Sequence, residues 1–402
     1  MTVFKYSGRT KTGALKKGTI NAQSKAVAIT KLREQGVNPR QIDESKSLLH
    51  KDLNFGGGGV KTQDFVVYCR QFATLIRAGV TIVEATNILA RQSTSKALKK
   101  ALEAVEDDIR TGIPFSKAVE KHPKVFPDLF VSMMMSGEAT GNIDETLERL
   151  ASTFEKQFGI KKKVQSAMTY PLVLLGIMVI VVFFLLIFIV PTFVQTFEEM
   201  GAELPTITVL TVKLSDFLLQ FWWLVILVVL SVVFTFFYLF KNNKQFNYTV
   251  HYVLLKIPGF GPLFQKNAIA RLMRNLSSLF SSAVPILHAL TISERVSGNP
   301  VISEVLVNAK ASLEKGQSLS EPFEKSWLFP PLVSSMTKIG ESTGSLDYML
   351  EKVADFYEEE VDRAVDTIKS LIEPAMILML ACVVGLIVAA VLMPMFSLYE
   401  QM

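Results

Sequence analysis

Three stretches of this chain, residues 168–191, 221–240 and 375–396, contain no Asp, Glu, Lys or Arg. A run of about twenty apolar residues is long enough to cross a roughly 30 Å hydrocarbon core as a helix. Inside such a core each backbone amide has to be satisfied within its own segment, which leaves the helix as the available form for an isolated run. A polytopic protein with three transmembrane helices is therefore expected, and every other kind of structure is confined to the polar stretches between them. The earliest run begins too late in the chain for a secretory signal, so the N-terminus is expected to be the mature one.

Orientation follows from the cations flanking the runs. Lys161, Lys162 and Lys163 precede the first and Lys241 and Lys244 follow the second, whereas the loop between them sets Lys213 against Glu198, Glu199, Glu203 and Asp216. That loop is expected outside, residues 1–165 and 241–370 in the cytoplasm, and the tail after Phe396 outside again. The formal net charge of +5 is accounted for by this bias and by proximity to anionic lipid headgroups, so nucleic acid is not expected as a partner. Cys69 and Cys382 do not make a disulfide framework and are read as packing residues.

The polar stretches are related to one another. The segment "SGEATGNIDETL" recurs as "IGESTGSLDYML", with Gly137, Glu138, Thr140, Gly141 and Asp144 each 203 residues before Gly340, Glu341, Thr343, Gly344 and Asp347. The same offset carries the helical face of Ile143, Leu147 and Leu150 onto Leu346, Leu350 and Val353, and Pro171 and Pro191 onto Pro374 and Pro394. Upstream, an offset of 204 aligns Arg70 with Arg274 and Gly112 with Gly316. The repeating unit is a cytoplasmic helical module followed by one span. Two parallel copies in one chain need an unduplicated helix to bring the chain back inside, and 221–240 has no counterpart at either offset.

The expected fold is mainly α: three transmembrane helices, two homologous cytoplasmic bundles of about six helices each, and a small N-terminal α+β domain. Its parts are the α+β domain at 1–55, a glycine-rich linker at 56–61, the first bundle at 62–167 and the first span at 168–191. An outer loop at 192–219, the second span at 220–240, the second bundle at 241–371, the third span at 372–396 and an outer tail at 397–402 follow. In the N-terminal domain, strands are expected around a turn, then a helix from Ser24 to Gln35 and an extended piece near Ile42. In the first bundle, Gly79 should stop a helix built on Phe65, Cys69, Phe72 and Ile76. Thr81 with Glu84 should form a capping box, and Asn142 with Glu145 should cap the long helix toward Lys161.

The repeated turn admits two roles. In one, Gly137 and Gly141, with Gly340 and Gly344, end a helix and supply positive φ before the next. In the other, Glu138 and Glu341, beside Thr140 and Thr343, are exposed carboxylates available to a partner protein or a cation. Pro171 after Tyr170 and Pro374 after Glu373 stand where a cytoplasmic helix becomes a membrane helix, and a proline there is expected to kink it. Ala381, Gly385 and Ala389 form a small-residue stripe suited to close helix packing.

No catalytic or metal site emerges. "GGGGVKT" lacks the phosphate-loop glycines, because Phe55 and Val60 hold those positions. His50, His122, His251 and His288 are scattered, without metal-ligand spacing, and no nucleophile elbow occurs. Neither enzyme activity nor a cofactor is expected. A membrane transporter, or a scaffold unrelated to filaments, is the alternative class, but transporters place ionisable residues within their spans and these spans have none at their centres.

With these residues the chain resembles the platform, or inner-membrane core, proteins of type IV pilus assembly and type II secretion. The family pattern of a basic residue before Thr/Tyr-Pro, with a second proline about twenty residues on, is matched by Lys163, Tyr170-Pro171 and Pro191. It recurs at Lys369, Glu373-Pro374 and Pro394, departing at Glu373, and the Gly-Glu-x-x-Gly turn stands in both halves. The resemblance implies a multi-pass protein of the bacterial inner membrane, working with a hexameric cytoplasmic assembly ATPase, pilin or pseudopilin subunits and other inner-membrane assembly proteins. It also implies a homo-oligomer, a dimer or higher, with the two turns as candidate contacts for the ATPase or for subunits.

Overall fold

A computed structural model describes residues 2–10, 15–22, 25, 29, 37–44, 59–189, 191–192 and 206–401. The chain divides into two compact units, Met1–Gly58 and Gly59–Met402. The first holds a three-stranded antiparallel sheet in the order β2-β1-β3, from β1 (Thr2–Thr10), β2 (Leu15–Ala22) and β3 (Val37–Glu44). The β1–β3 register shifts between Ser7 and Gly8, and Gly8 then faces Pro39. A proline is tolerated there because β3 is an edge strand and one of its faces needs no N–H donor. The helix expected from Ser24 to Gln35 lies outside the described residues apart from Lys25 and Ile29, both helical. The linker is described only from Gly59 onward.

The second unit opens with six helices: α1 (Thr62–Arg77), α2 (Ile82–Gln92), α3 (Lys96–Arg110), α4 (Phe115–Glu120), α5 (Asp128–Thr140) and α6 (Ile143–Phe184). Their ends fall where local chemistry sets them. Gly79 has φ +83° after α1, the Thr81 hydroxyl accepts the Glu84 N–H at the start of α2, and Ser95 does the same for Leu98 at α3. Asn142 occupies the cap position of α6 without a side-chain cap bond, and its carbonyl instead accepts from the Thr146 hydroxyl at 2.7 Å. The core is aromatic, with Phe72, Phe115, Phe126 and Phe130 fully buried.

After α7 (Thr206–Asn242) the pattern repeats as α9 (Gly261–Ser281), α10 (Ile286–Ser297), α11 (Pro300–Glu314), α12 (Ser320–Lys325), α13 (Pro331–Thr343) and α14 (Leu346–Gln401). One helix, α8 (Lys244–Lys256), has no equivalent among the described residues of the first half. It leaves α7 at an angle of 107°, at Asn243, whose side chain accepts from the N–H groups of Gln245 and Phe246. Asn243 breaks the helix because its carboxamide substitutes for the missing backbone acceptors.

Two stretches outside the apolar runs are helical. Residues 206–219, assigned to an outer loop, are helical and continue into the second apolar run through a single non-helical residue, Phe221 (φ −115°, ψ 21°). Residues 397–401, assigned to a tail, are the end of α14. In both places the sequence beside an apolar run joins a helix whose propagation adds one hydrogen bond for each residue fixed, so the helix extends past the hydropathy boundary. The rest of the stretch expected as an outer loop, 193–205, lies outside the described residues.

Among the described residues, α6 is long and apolar enough to cross a membrane, and the bent pair Ile226–Asn242 with Lys244–Lys256 passes the same test jointly. Large apolar side chains face outward on all three expected runs: Leu172, Ile180 and Phe188; Leu230, Phe234 and Phe237; Ile377 and Leu378. In α6 the helix gives way to a π-helical turn over Leu185–Ile189.

Candidate functional site

The two Gly-Glu turns are built alike. α5 ends at Gly141 (φ +76°) and α13 at Gly344 (φ +70°), each in the left-handed region that glycine enters without a Cβ penalty. Gly137 and Gly340, expected among the terminators, instead lie within the helices. Their requirement is proximity. A Cβ on Gly137 would stand 2.7 Å from Thr146 Oγ1, and one on Gly340 2.8 Å from the Leu346 Cα. A helix and the next one cross so closely at these points that only glycine fits.

The glutamates are not left free. Glu138 accepts from the backbone N–H groups of Phe115 at 2.8 Å and Ser116 at 3.1 Å, at the start of α4. Glu341 accepts from the N–H groups of Leu319 and Ser320 at the start of α12 and from the Ser318 hydroxyl. A helix start leaves unpaired donors and a partial positive charge, and in both copies a carboxylate from the end of the following helix meets them. The recurrence of Glu thus has a structural cause, and the expectation of an open carboxylate is corrected. Thr140, Gly141, Thr343 and Gly344 remain exposed at the turn surface.

A second duplicated constellation went unread in the sequence beyond the alignment of its arginines. Arg70 on α1 donates Nε–H to Glu155 at 2.7 Å and pairs with Glu148 at 2.5 Å. Arg274 on α9 pairs with Glu358 at 2.8 Å, with Asp355, and with Glu351 at 3.8 Å. The signal was present: Glu148 and Glu155 lie 203 residues before Glu351 and Glu358, as the arginines lie 204 apart, and seven residues is two helical turns. Hydrogen bonds from Arg70 hold the Glu155 carboxyl below its ordinary value against partial burial. Burial opposes ionisation of Asp355, but hydrogen bonds from Arg274 and Lys156 outweigh it and that carboxyl also sits low.

The long helices α6 and α14 are stitched together by charge. Lys156 reaches Asp355 at 2.9 Å and Glu358 at 3.4 Å, and Lys163 reaches Asp362 at 2.5 Å. Between these pairs and the apolar runs lies a cluster of Ala167, Val361, Val365 and Ile368 with Leu263. The repeat has diverged into complementary signs here, since Lys156 and Lys163 correspond to Glu359 and Asp366.

At the expected kink the helical runs are unbroken through Pro171 and through Pro374. Tyr170, Glu373 and Pro374 are exposed and Pro171 is buried. Ala381 and Gly385 are exposed and Ala389 is half-buried, and a Cβ on Gly385 would meet nothing within 4 Å. Among the described residues no group of three His, Cys, Asp or Glu could hold a metal ion.

The repeat is also visible in relatives. The family model described as "Type II secretion system (T2SS), protein F" matches twice, at residues 68–191 and 272–394, and the N-terminal domain of that protein matches residues 1–43. The chain belongs to the type II secretion system protein F family. The two family matches begin 204 and end 203 residues apart, the offsets that relate the two turns. A "Type IV pilus assembly protein PilC" of Thermus thermophilus is 38% identical, over 99% of this chain and 98% of its own length. A PilC of Pseudomonas aeruginosa is 36% identical over 91% and 97%. A "Type II secretion system protein F" of Vibrio cholerae is 31% identical over the whole of both chains.

Proposed function

We propose that this protein is the inner-membrane platform of a type IV pilus or type II secretion-like machine, coupling a cytoplasmic assembly ATPase to insertion of pilin-like subunits into a filament. Membership of a family whose named members serve pilus assembly and secretion supports the machine. The coupling is supported by one observation above all: α6 and α14 each run unbroken from a capped turn in a bundle into an outward-facing apolar run. At 1.5 Å per residue such helices are roughly 60 and 80 Å long, enough to join a cytoplasmic body to the bilayer as single rods. A partner that favours one arrangement of the bundles would bias the spans through them.

In this proposal the chain crosses the bacterial inner membrane three times, with its small α+β domain (1–55) and both bundles (62–167 and 241–371) in the cytoplasm and its C-terminus outside. The outward apolar side chains of all three runs favour three crossings, since an apolar face of that extent is unstable in water. The exposed tips Thr140-Gly141 and Thr343-Gly344 are the ATPase or subunit contacts, and other inner-membrane assembly proteins and further copies of the chain complete the assembly. Affinity capture of the full chain from membranes should bring down a hexameric ATPase, and Thr140→Arg with Thr343→Arg should lose it while the bundles stay folded. Capture unaffected by both changes would remove the tips from the proposal; no ATPase with the unaltered chain would remove the coupling.

A further inference from the structure

The two bundles of one chain meet through unlike faces. The first presents α5 and α6, the second α9, α10 and the Asp355–Asp362 side of α14, whose other side carries Phe356. The Ser136 hydroxyl donates to the Ser282 carbonyl, the Thr153 and Ser278 hydroxyls lie 2.9 Å apart, Gln157 donates to Asn275 at 2.9 Å, and Lys156 and Lys163 pair with Asp355 and Asp362. Leu279, Val284 and Ile292 of the second bundle are buried in the core of the first. Because the bundles are copies of one unit, each face exists twice, and the chain uses each once. The α13–α14 face of the second bundle and the α1–α2 face of the first are left over.

The leftover faces differ from the used ones in a coordinated way. Ser136 and Thr153 correspond to Ile339 and Phe356; Thr153 is 2% exposed in the contact, whereas Ile339 and Phe356 stand 45% and 42% exposed. The covered copy is polar and the uncovered copy apolar, the reverse of what a solvated face requires. On the first bundle, the positions of Leu279, Val284 and Ile292 are held by Leu75, Val80 and Ile88, still apolar but only half-buried, and that of Ser282 by the exposed Ala78. Where Ser136 meets Ser282 within the chain, Ile339 would meet Ala78 between chains, an apolar pair in place of a polar one; Thr153 against Ser278 becomes Phe356 against Thr74, and Gln157 against Asn275 becomes Glu360 against Gln71.

We infer that a second copy of this chain docks its α1–α2 face onto the α13–α14 face of the first, repeating between chains the contact that joins the two bundles within one. The contact is heterologous, with unlike faces meeting. The inference gives a surface to the self-association in the proposed function and does not depend on the ATPase.

The test uses full chains carrying Cys382→Ser, with the fully buried Cys69 retained. Two differently tagged forms, one Ile339→Cys and the other Ala78→Cys, are co-expressed and their membranes oxidised. A mixed-tag disulfide is expected, at least tenfold above that from two Ile339→Cys chains. A Ser136→Cys, Ser282→Cys chain, which should close internally, shows that oxidation works. No mixed-tag product while this control closes, or equal product from the two Ile339→Cys chains, would overturn the inference. Phe356→Glu should raise the dissociation constant of the detergent-solubilised oligomer more than tenfold by light scattering, and an unchanged constant would also count against it. Failure of the cross-link with ATPase capture intact removes this docking alone; the converse removes the motor coupling alone.

Discussion

Glu138 and Glu341 each connect the end of one helix to the start of another, so their loss should be felt first as instability. Removing a capping acceptor costs about 1–2 kcal/mol, and Glu138→Ala or Glu341→Ala should lower the denaturation midpoint of the full chain accordingly. The glutamine variants keep a carbonyl acceptor and should recover part of the loss. Loss of ATPase capture at unchanged stability would instead return these residues to a partner-binding role. The neighbouring glycines should rank by what an added methyl meets. Gly340→Ala drives a Cβ against backbone at 2.8 Å, and Gly137→Ala against a threonine side chain at 2.7 Å, so Gly340→Ala should cost more, within about 1–3 kcal/mol for overpacking. The sequence showed that these four residues recur but not why: the partners of the glutamates, Phe115 and Leu319, lie more than twenty residues away along the chain, and the closeness of Gly137 to Thr146 and of Gly340 to Leu346 is set by how successive helices cross.

At the scale of the elements, what could be read was whatever is local in sequence. The stop at Gly79 and the cap at Thr81 depend on neighbours within four residues, and the structure has them. The helical extension through 206–219 and the right-angle departure of α8 could not be read, because helix propagation and tertiary packing override hydropathy at such boundaries. The Arg–carboxylate pairs between α1 and α6, and between α9 and α14, differ in setting. The Arg70 side chain is 36% exposed and that of Arg274 7%, since the first bundle covers α9. Arg274→Met should therefore cost about 2 kcal/mol by stranding partly buried carboxylates, and Arg70→Met under about 1 kcal/mol, as for exposed pairs. Glu155 and Asp355 both have depressed folded-state values, so their contribution is complete above the unfolded value, near pH 4, and is lost as pH falls through the folded value. Urea midpoints of the unaltered chain should drop below about pH 4, and Arg274→Met should flatten that limb. Equal slopes in the two proteins would mean that other groups govern the acid transition.

For the whole molecule, rigid transmission requires α6 and α14 to keep one register from the bundles to the bilayer. Lys156 with Asp355 ties them at one level and Lys163 with Asp362 two turns further on, with the Ala167–Val365 cluster beyond. A four-residue insertion after Lys161 adds about 400° of helix, turning everything downstream by about 40° and advancing it by about 6 Å. Lys163 then no longer faces Asp362, and the apolar run of α6 is out of phase with that of α14. The same insertion after Glu360, which faces Lys161 at the 199-residue offset of the pairs Lys156–Asp355 and Lys163–Asp362, displaces the rest of α14, Asp362 included, by the same amount. Each single insertion should abolish filament assembly or secretion and the disulfide between Lys163→Cys and Asp362→Cys. The paired insertion should restore the disulfide and a measurable part of assembly, because the relative register of the two rods is regained although each has been turned against its bundle. Normal assembly with one insertion would show that the helices do not act as rods, and a restored disulfide without assembly would place the coupling in the angle between span and bundle.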